Sequence, residues 1–187
     1  MKSLAILMLA AASLFMKGNS GEEIDYNPIL LQKELGTLCN TKDFQLQEMQ
    51  LPDTVKGYVL NGKFFEILCR GNRISTAYIG RVNSCRSGGC SGQTAPETGN
   101  DGEYFDYFIL FDTQNRINAI RVYNYEATHG QEITVRGWLK QFIGFDGTDA
   151  LRVGKEIDSI SGATISVNGL VADVQSKSYL LKTFFAF

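Results

Sequence analysis

Histidine occurs once in the 187 residues. That excludes His-rich metal sites and leaves most His-dependent catalytic triads without their base. An excess of basic charge is also missing: 18 Lys and Arg stand against 20 Asp and Glu, a net of −2. Nucleic-acid binding rests on a basic footprint of many phosphate contacts, so that class is set aside. No apolar run reaches the roughly 20 residues that a membrane-spanning helix needs. Internal repeats, low-complexity tracts and linkers that would split the chain are absent too. What is plentiful is apolar surface, 44% hydrophobic and 11% aromatic residues, too much for a disordered chain. One domain with one proper core is expected, since domains run at roughly 100–200 residues.

The N-terminus reads as an export signal. Met1-Lys2 precedes an uncharged apolar stretch, Ser3 to Met16, which Lys17 ends. A basic start, a short apolar centre and the small residues Gly18 and Ser20 suit a secretory signal peptide cleaved after Ser20. The competing reading is a buried N-terminal helix. The first cysteine is Cys39, too far from the apolar run for a lipid anchor. Losing residues 1–20 removes Lys2 and Lys17, leaving 16 basic groups against 20 acidic, a net of −4. A soluble protein in the periplasm, or otherwise outside the cytoplasm, is the expectation.

In that oxidising setting four cysteines read as disulfides. Cys85 and Cys90 flank a Gly-rich turn, and Cys39 with Cys69 would close a longer loop. Three pairings exist; 39–69 with 85–90 is the favoured one. The C-x4-C spacing, with no second ligand pair, suits zinc poorly. A redox-active Cys85/Cys90 dithiol stands beside the structural reading, although such dithiols are usually C-x-x-C at a helix start.

The chain body has an α+β pattern. Ile29 to Gly36 has the spacing of a short helix ending at the glycine. Gly62 to Leu68 and Arg73 to Ile79 flank Cys69-Arg-Gly-Asn72 as a hairpin. Residues 83–103, rich in Gly, Ser and Thr and containing Pro96, read as one long exposed loop. Tyr104 to Phe111 and Ile117 to Tyr125 form two strands joined by a turn at Asp112 to Arg116. Val167, Leu170, Val171, Val174, Ser178 and Leu181 share one face at helical spacing. The predicted architecture is a single α+β domain, an antiparallel sheet packed by helices.

Chemistry concentrates just before the last helix, in Glu156-Ile-Asp-Ser-Ile-Ser-Gly-Ala-Thr-Ile-Ser166. Small residues running into a helix start expose free N–H groups at the positive end of the dipole, which suits a phosphate. Gly162 and Ala163 permit close approach, and Thr164 adds a hydroxyl as an attachment point. An ordinary helix cap by Ser161 or Thr164 is the plain alternative.

Asp158-Ser-Ile-Ser-Gly-Ala-Thr164 resembles the flavinylation motif Asp-x-x-Ser/Thr-Gly-Ala-Thr of the FMN-binding domain family. That family includes the C subunit of the sodium-pumping NADH:quinone reductase and the G subunit of the Rnf complex. The resemblance implies FMN joined through its phosphate to Thr164, with Asp158, Ser161, Gly162 and Ala163 as recognition segment. It also implies a magnesium-dependent FAD:protein FMN transferase as the maturation partner. Tyr125-Glu-Ala-Thr-His-Gly130 resembles the family's Glu-Thr-Pro-Gly-type turn, with an extra Ala127 and with His129 where proline is common. Glu126, Thr128 and His129 are therefore candidates near the ring, each with a plain reading as a turn or strand-end residue. Trp138 and Phe142 are candidate walls for a flat isoalloxazine, or core aromatics.

The resemblance covers roughly residues 55–182 and divides the chain into a signal peptide (1–20), an N-terminal extension (21–54) and an FMN-binding domain (55–187). It implies an electron carrier with donor and acceptor proteins, with docking to a membrane electron-transport complex left open. A small flavin reductase or oxidase with its own substrate, and a non-redox module that kept the fold, are the alternatives.

Overall fold

The computed structural model describes residues 23–57, 59, 61–84 and 103–184. The signal-peptide reading and the Cys85/Cys90 pair lie outside these residues.

Five strands form one antiparallel meander, neighbours in sequence being neighbours in the sheet: β1 (Phe44–Glu48), β2 (Gly62–Cys69), β3 (Asn72–Ser84), β4 (Glu103–Phe111) and β5 (Ile117–Glu126). The two predicted hairpins are present, with Arg70 and Gly71 at positive φ in the first. In the second, the Asp112 side chain accepts N–H bonds from Gln114 and Arg116. At the ends of the predicted loop at 83–103, Asn83 pairs with Tyr104 and Ser84 with Glu103 as strand residues, and residues 85–102 lie outside the described residues.

Strand side chains alternate between faces, and each face has its own core. Phe64, Tyr78, Phe105, Tyr107, Ile109 and Phe111 point to one. The helix that covers them is α4 (Thr164–Phe184), which buries Val167, Leu170, Val171, Val174, Ser178 and Leu181, the face its spacing predicts. Gly169 lets α4 come close, since a Cβ there would lie 2.9 Å from Val82. Phe65, Ile67, Ala77, Ile79, Phe108 and Leu110 point to the other face. There α1 (Ile29–Cys39) buries Leu31 and Leu35.

The first helix runs past Gly36 and ends at Asn40, which takes the left-handed conformation at φ 48°. Asparagine tolerates that region, so the stop falls four residues later than a glycine signal predicts. Cys39 is joined to Cys69, Cα to Cα 5.6 Å, fastening α1 to the end of β2. Within the 21–54 stretch, α1 covers one face of the sheet and β1 forms its edge. Among the described residues two short helices, α2 (Asp53–Lys56) and α3 (Arg136–Leu139), are also present, with 3-10 turns at Gln131–Thr134 and Lys140–Phe142. Among the described residues no helix is long and apolar enough to cross a membrane.

Candidate functional site

Thr164 is the first residue of the 21-residue α4 and is exposed. The first N–H groups of any helix have no acceptor inside it, and the dipole makes that end positive. No acidic side chain lies in the first turn of α4 to oppose an anion. Just before it, Gly162 sits at φ +84°, and a Cβ placed there would meet nothing within 4 Å. Ala163 is 2% exposed and anchors the turn in the core, its N–H bonded to the Ile160 carbonyl at 3.1 Å. Asp158, Ser159, Ser161 and Gly162 are exposed like Thr164. An open backbone curve ending in an outward hydroxyl at a helix N-terminus suits a phosphate-linked group.

Two other segments reach this loop. The end of β5 meets the first turn of α4: the Tyr125 hydroxyl lies 2.9 Å from the Ser166 hydroxyl and donates to the His129 carbonyl at 2.5 Å. Burial raises the Tyr125 pKa, against the opposing effect of the Ser166 bond. Gly130, at φ +94°, completes the contact; a Cβ there would lie 2.7 Å from the Ser166 hydroxyl, so no larger residue fits without movement. Glu126, Thr128 and His129 are exposed on this turn, and the Thr128 N–H donates to the Glu103 carboxylate at 3.0 Å.

The second segment carries α3. Trp138 is 9% exposed and donates its indole N–H to the Asp158 carbonyl at 2.9 Å. Its ring meets Phe142 edge-on, centroids 5.4 Å apart. Phe142 is fully buried and offers no surface to a ligand, which corrects the expectation of a wall there. Trp138 has a backbone-holding contact that its residue type alone did not indicate. Ile165, 47% exposed directly after Thr164, is an apolar surface that sequence reading passed over. The same is true of Gln141, whose side chain accepts the Asp158 N–H at 2.8 Å. No local pattern pairs residue 141 with residue 158.

Beneath the site α4 rests on a polar patch inside the core. The Tyr107 hydroxyl donates to Asp173 at 2.6 Å, and Lys177 donates to the other Asp173 oxygen at 2.7 Å. Burial, then the Asp173 charge, pushes the Tyr107 phenol well above its ordinary pKa. Along the outer side of α4 an open groove of about 920 Å³ runs against residues 147–153, lined by Arg152, Asn168, Gln175 and Tyr179 among others.

No curated protein and no solved structure matches the chain. A family model does, from the first residue of β4 to Lys177 in α4, and the matched stretch contains the β5 turn, α3 and the Asp158–Thr164 motif. The model is that of the FMN-binding domain, and it matches residues 103–177 of this chain.

Proposed function

We propose that the protein is an extracytoplasmic flavoprotein that carries electrons on FMN joined by a phosphoester to Thr164. The observation that carries this reading is the place of Thr164: an exposed hydroxyl opening α4, at the end of Asp158-Ser-Ile-Ser-Gly-Ala-Thr164, inside the family match. In the attachment step the Thr164 hydroxyl oxygen attacks the FMN phosphorus of FAD. The pyrophosphate bond breaks, AMP leaves, and the hydroxyl proton passes to the FAD:protein FMN transferase, where magnesium is held. The bound flavin supplies the redox chemistry. This chain's part is to tether the phosphate at the helix N-terminus, with Gly162 leaving room beside it and the buried Ala163 anchoring the turn. Glu126, Thr128 and His129 are then the exposed polar groups on the neighbouring turn. The Cys39–Cys69 bond supports a place outside the cytoplasm, where disulfides persist. Redox donor and acceptor proteins are the partners this reading calls for, whether free or within a membrane electron-transport complex.

A second reading, a small flavin reductase or oxidase, is favoured by the groove of about 920 Å³ beside α4, which offers room for a substrate. Turnover of a small acceptor by the purified protein alone would favour it.

The deciding experiment is intact mass after denaturation, on protein exported together with an FMN transferase. A gain of FMN less water on the Thr164 peptide is expected in the wild type, and none in Thr164→Ala. That variant should keep its fold, because an exposed helix-end change costs only ~1 kcal/mol. Undiminished FMN on Thr164→Ala would remove the assignment, and a colourless wild type would leave a non-redox module.

A further inference from the structure

The geometry points to Gln141, Trp138 and Tyr125 as positioning residues that pin both ends of the segment carrying Thr164. As supports for a flavin they rest on the reading above; as pins of the backbone they do not.

At the entry to the segment three hydrogen bonds close a ring. The Trp138 indole N–H donates to the Asp158 carbonyl at 2.9 Å, and the Asp158 N–H donates to the Gln141 side-chain oxygen at 2.8 Å. The Gln141 side-chain N–H then donates to the Trp138 carbonyl at 3.1 Å. Both polar groups of the Asp158 backbone are therefore held by one short segment, while its carboxylate stays exposed. At the exit, Ser166 is 3% exposed and bonded to Tyr125 at 2.9 Å. Because Tyr125 spends its own proton on the His129 carbonyl, Ser166 is the donor to it. Between the two pins only Ala163 is buried. Residues at this spacing would otherwise form an open loop, of the mobile kind that loops usually are. A group tethered by a flexible phosphoester keeps a fixed environment only if the tether's own backbone is fixed.

The test uses the full chain without flavin first. Amide hydrogen exchange across 158–166 is compared in the wild type, Gln141→Ala, Gln141→Glu and Tyr125→Phe. Gln141→Glu keeps an oxygen for the Asp158 N–H, and Tyr125→Phe keeps the ring that stacks on Phe105 at 5.7 Å. Gln141→Ala should speed exchange at the entry about fivefold, with Gln141→Glu near wild type and Tyr125→Phe speeding the exit alone. The β4 amides should be unchanged. Wild-type exchange in Gln141→Ala and Tyr125→Phe overturns the proposal, as does an increase spread equally through β4. On the flavin-loaded chain, the visible circular dichroism of the flavin should fall in Gln141→Ala at full FMN occupancy and return in Gln141→Glu. Absence of FMN on the wild type would sink the flavin reading alone, since exchange still decides the pins.

Discussion

Both faces of the sheet bury aromatic and branched side chains, and both carry a helix, yet the helices are held by different means. Under α4 the core contains directional polar contacts: Tyr107 and Lys177 both donate to Asp173, and Lys177 lies 5.5 Å from the centre of the Tyr78 ring. Under α1 the contact is apolar at Leu31 and Leu35, and a covalent bond and one carboxylate fasten it beside them. These are the Cys39–Cys69 bond and the Glu34 carboxylate, which accepts from Arg121 at 2.8 Å and Arg136 at 3.2 Å. Apolar contacts tolerate rotation and sliding, whereas a half-buried carboxylate shared by a buried ammonium and a buried phenol satisfies its partners in one arrangement. The face whose helix opens at the exposed Thr164 is the one with the directional interior. The face under α1 is stapled by the disulfide.

The largest test of that contrast is Asp173→Ala. It removes the carboxylate that the buried Lys177 ammonium and Tyr107 hydroxyl share and should cost about 3 kcal/mol in urea unfolding. The paired change Asp173→Leu with Lys177→Met removes both charges and should recover much of the loss. A double variant as unstable as the single one would show that shape, not charge, holds α4.

A similar effect is expected on the other face. The Cys39–Cys69 bond closes a loop of 30 residues, so Cys39→Ser should lower stability by about 3 kcal/mol. If the faces are fastened separately, α1 amides should then exchange faster while α4 amides hold. Equal loosening of both helices would break the comparison.

The smallest effect belongs to neither face. The Arg152 guanidinium, hydrogen-bonded to Glu156 two residues before the motif, holds its carboxyl down to about 2. A depressed carboxyl contributes stability that is present above its ordinary pKa of about 4.5 and is lost as pH falls through about 2. Both side chains are exposed and screened by salt, so the change in stability should be barely measurable. A carboxyl NMR titration should still find the low midpoint, and an ordinary one would mean that the pair is open in solution.

Much of the fold was legible because its signals are local. The aromatic-rich run from Tyr104 to Phe111, the turn residues at Asp112 to Arg116 and the 3.6-residue spacing from Val167 to Leu181 each act within a few residues. The motif ending at Thr164 was legible for the same reason, being one continuous stretch ahead of a helix. The end of α1 was misplaced because Gly36 and Asn40 both carry stop signals, and only the backbone chooses between them. Trp138 was legible as an aromatic near the site but not as the donor to Asp158, 20 residues away.

From the sequence alone came the α+β class, the hairpins, the buried side of α4 and the Asp158–Thr164 motif with its hydroxyl. Tertiary structure alone decided that Gln141 and Trp138 grip Asp158, that Tyr125 reaches Ser166 across 41 residues, and that Phe142 is core. The physical reason is range. Periodicity and turn chemistry act between neighbours along the chain, whereas a hydrogen bond between distant residues exists only where the packed sheet and helix bring donor and acceptor within about 3 Å.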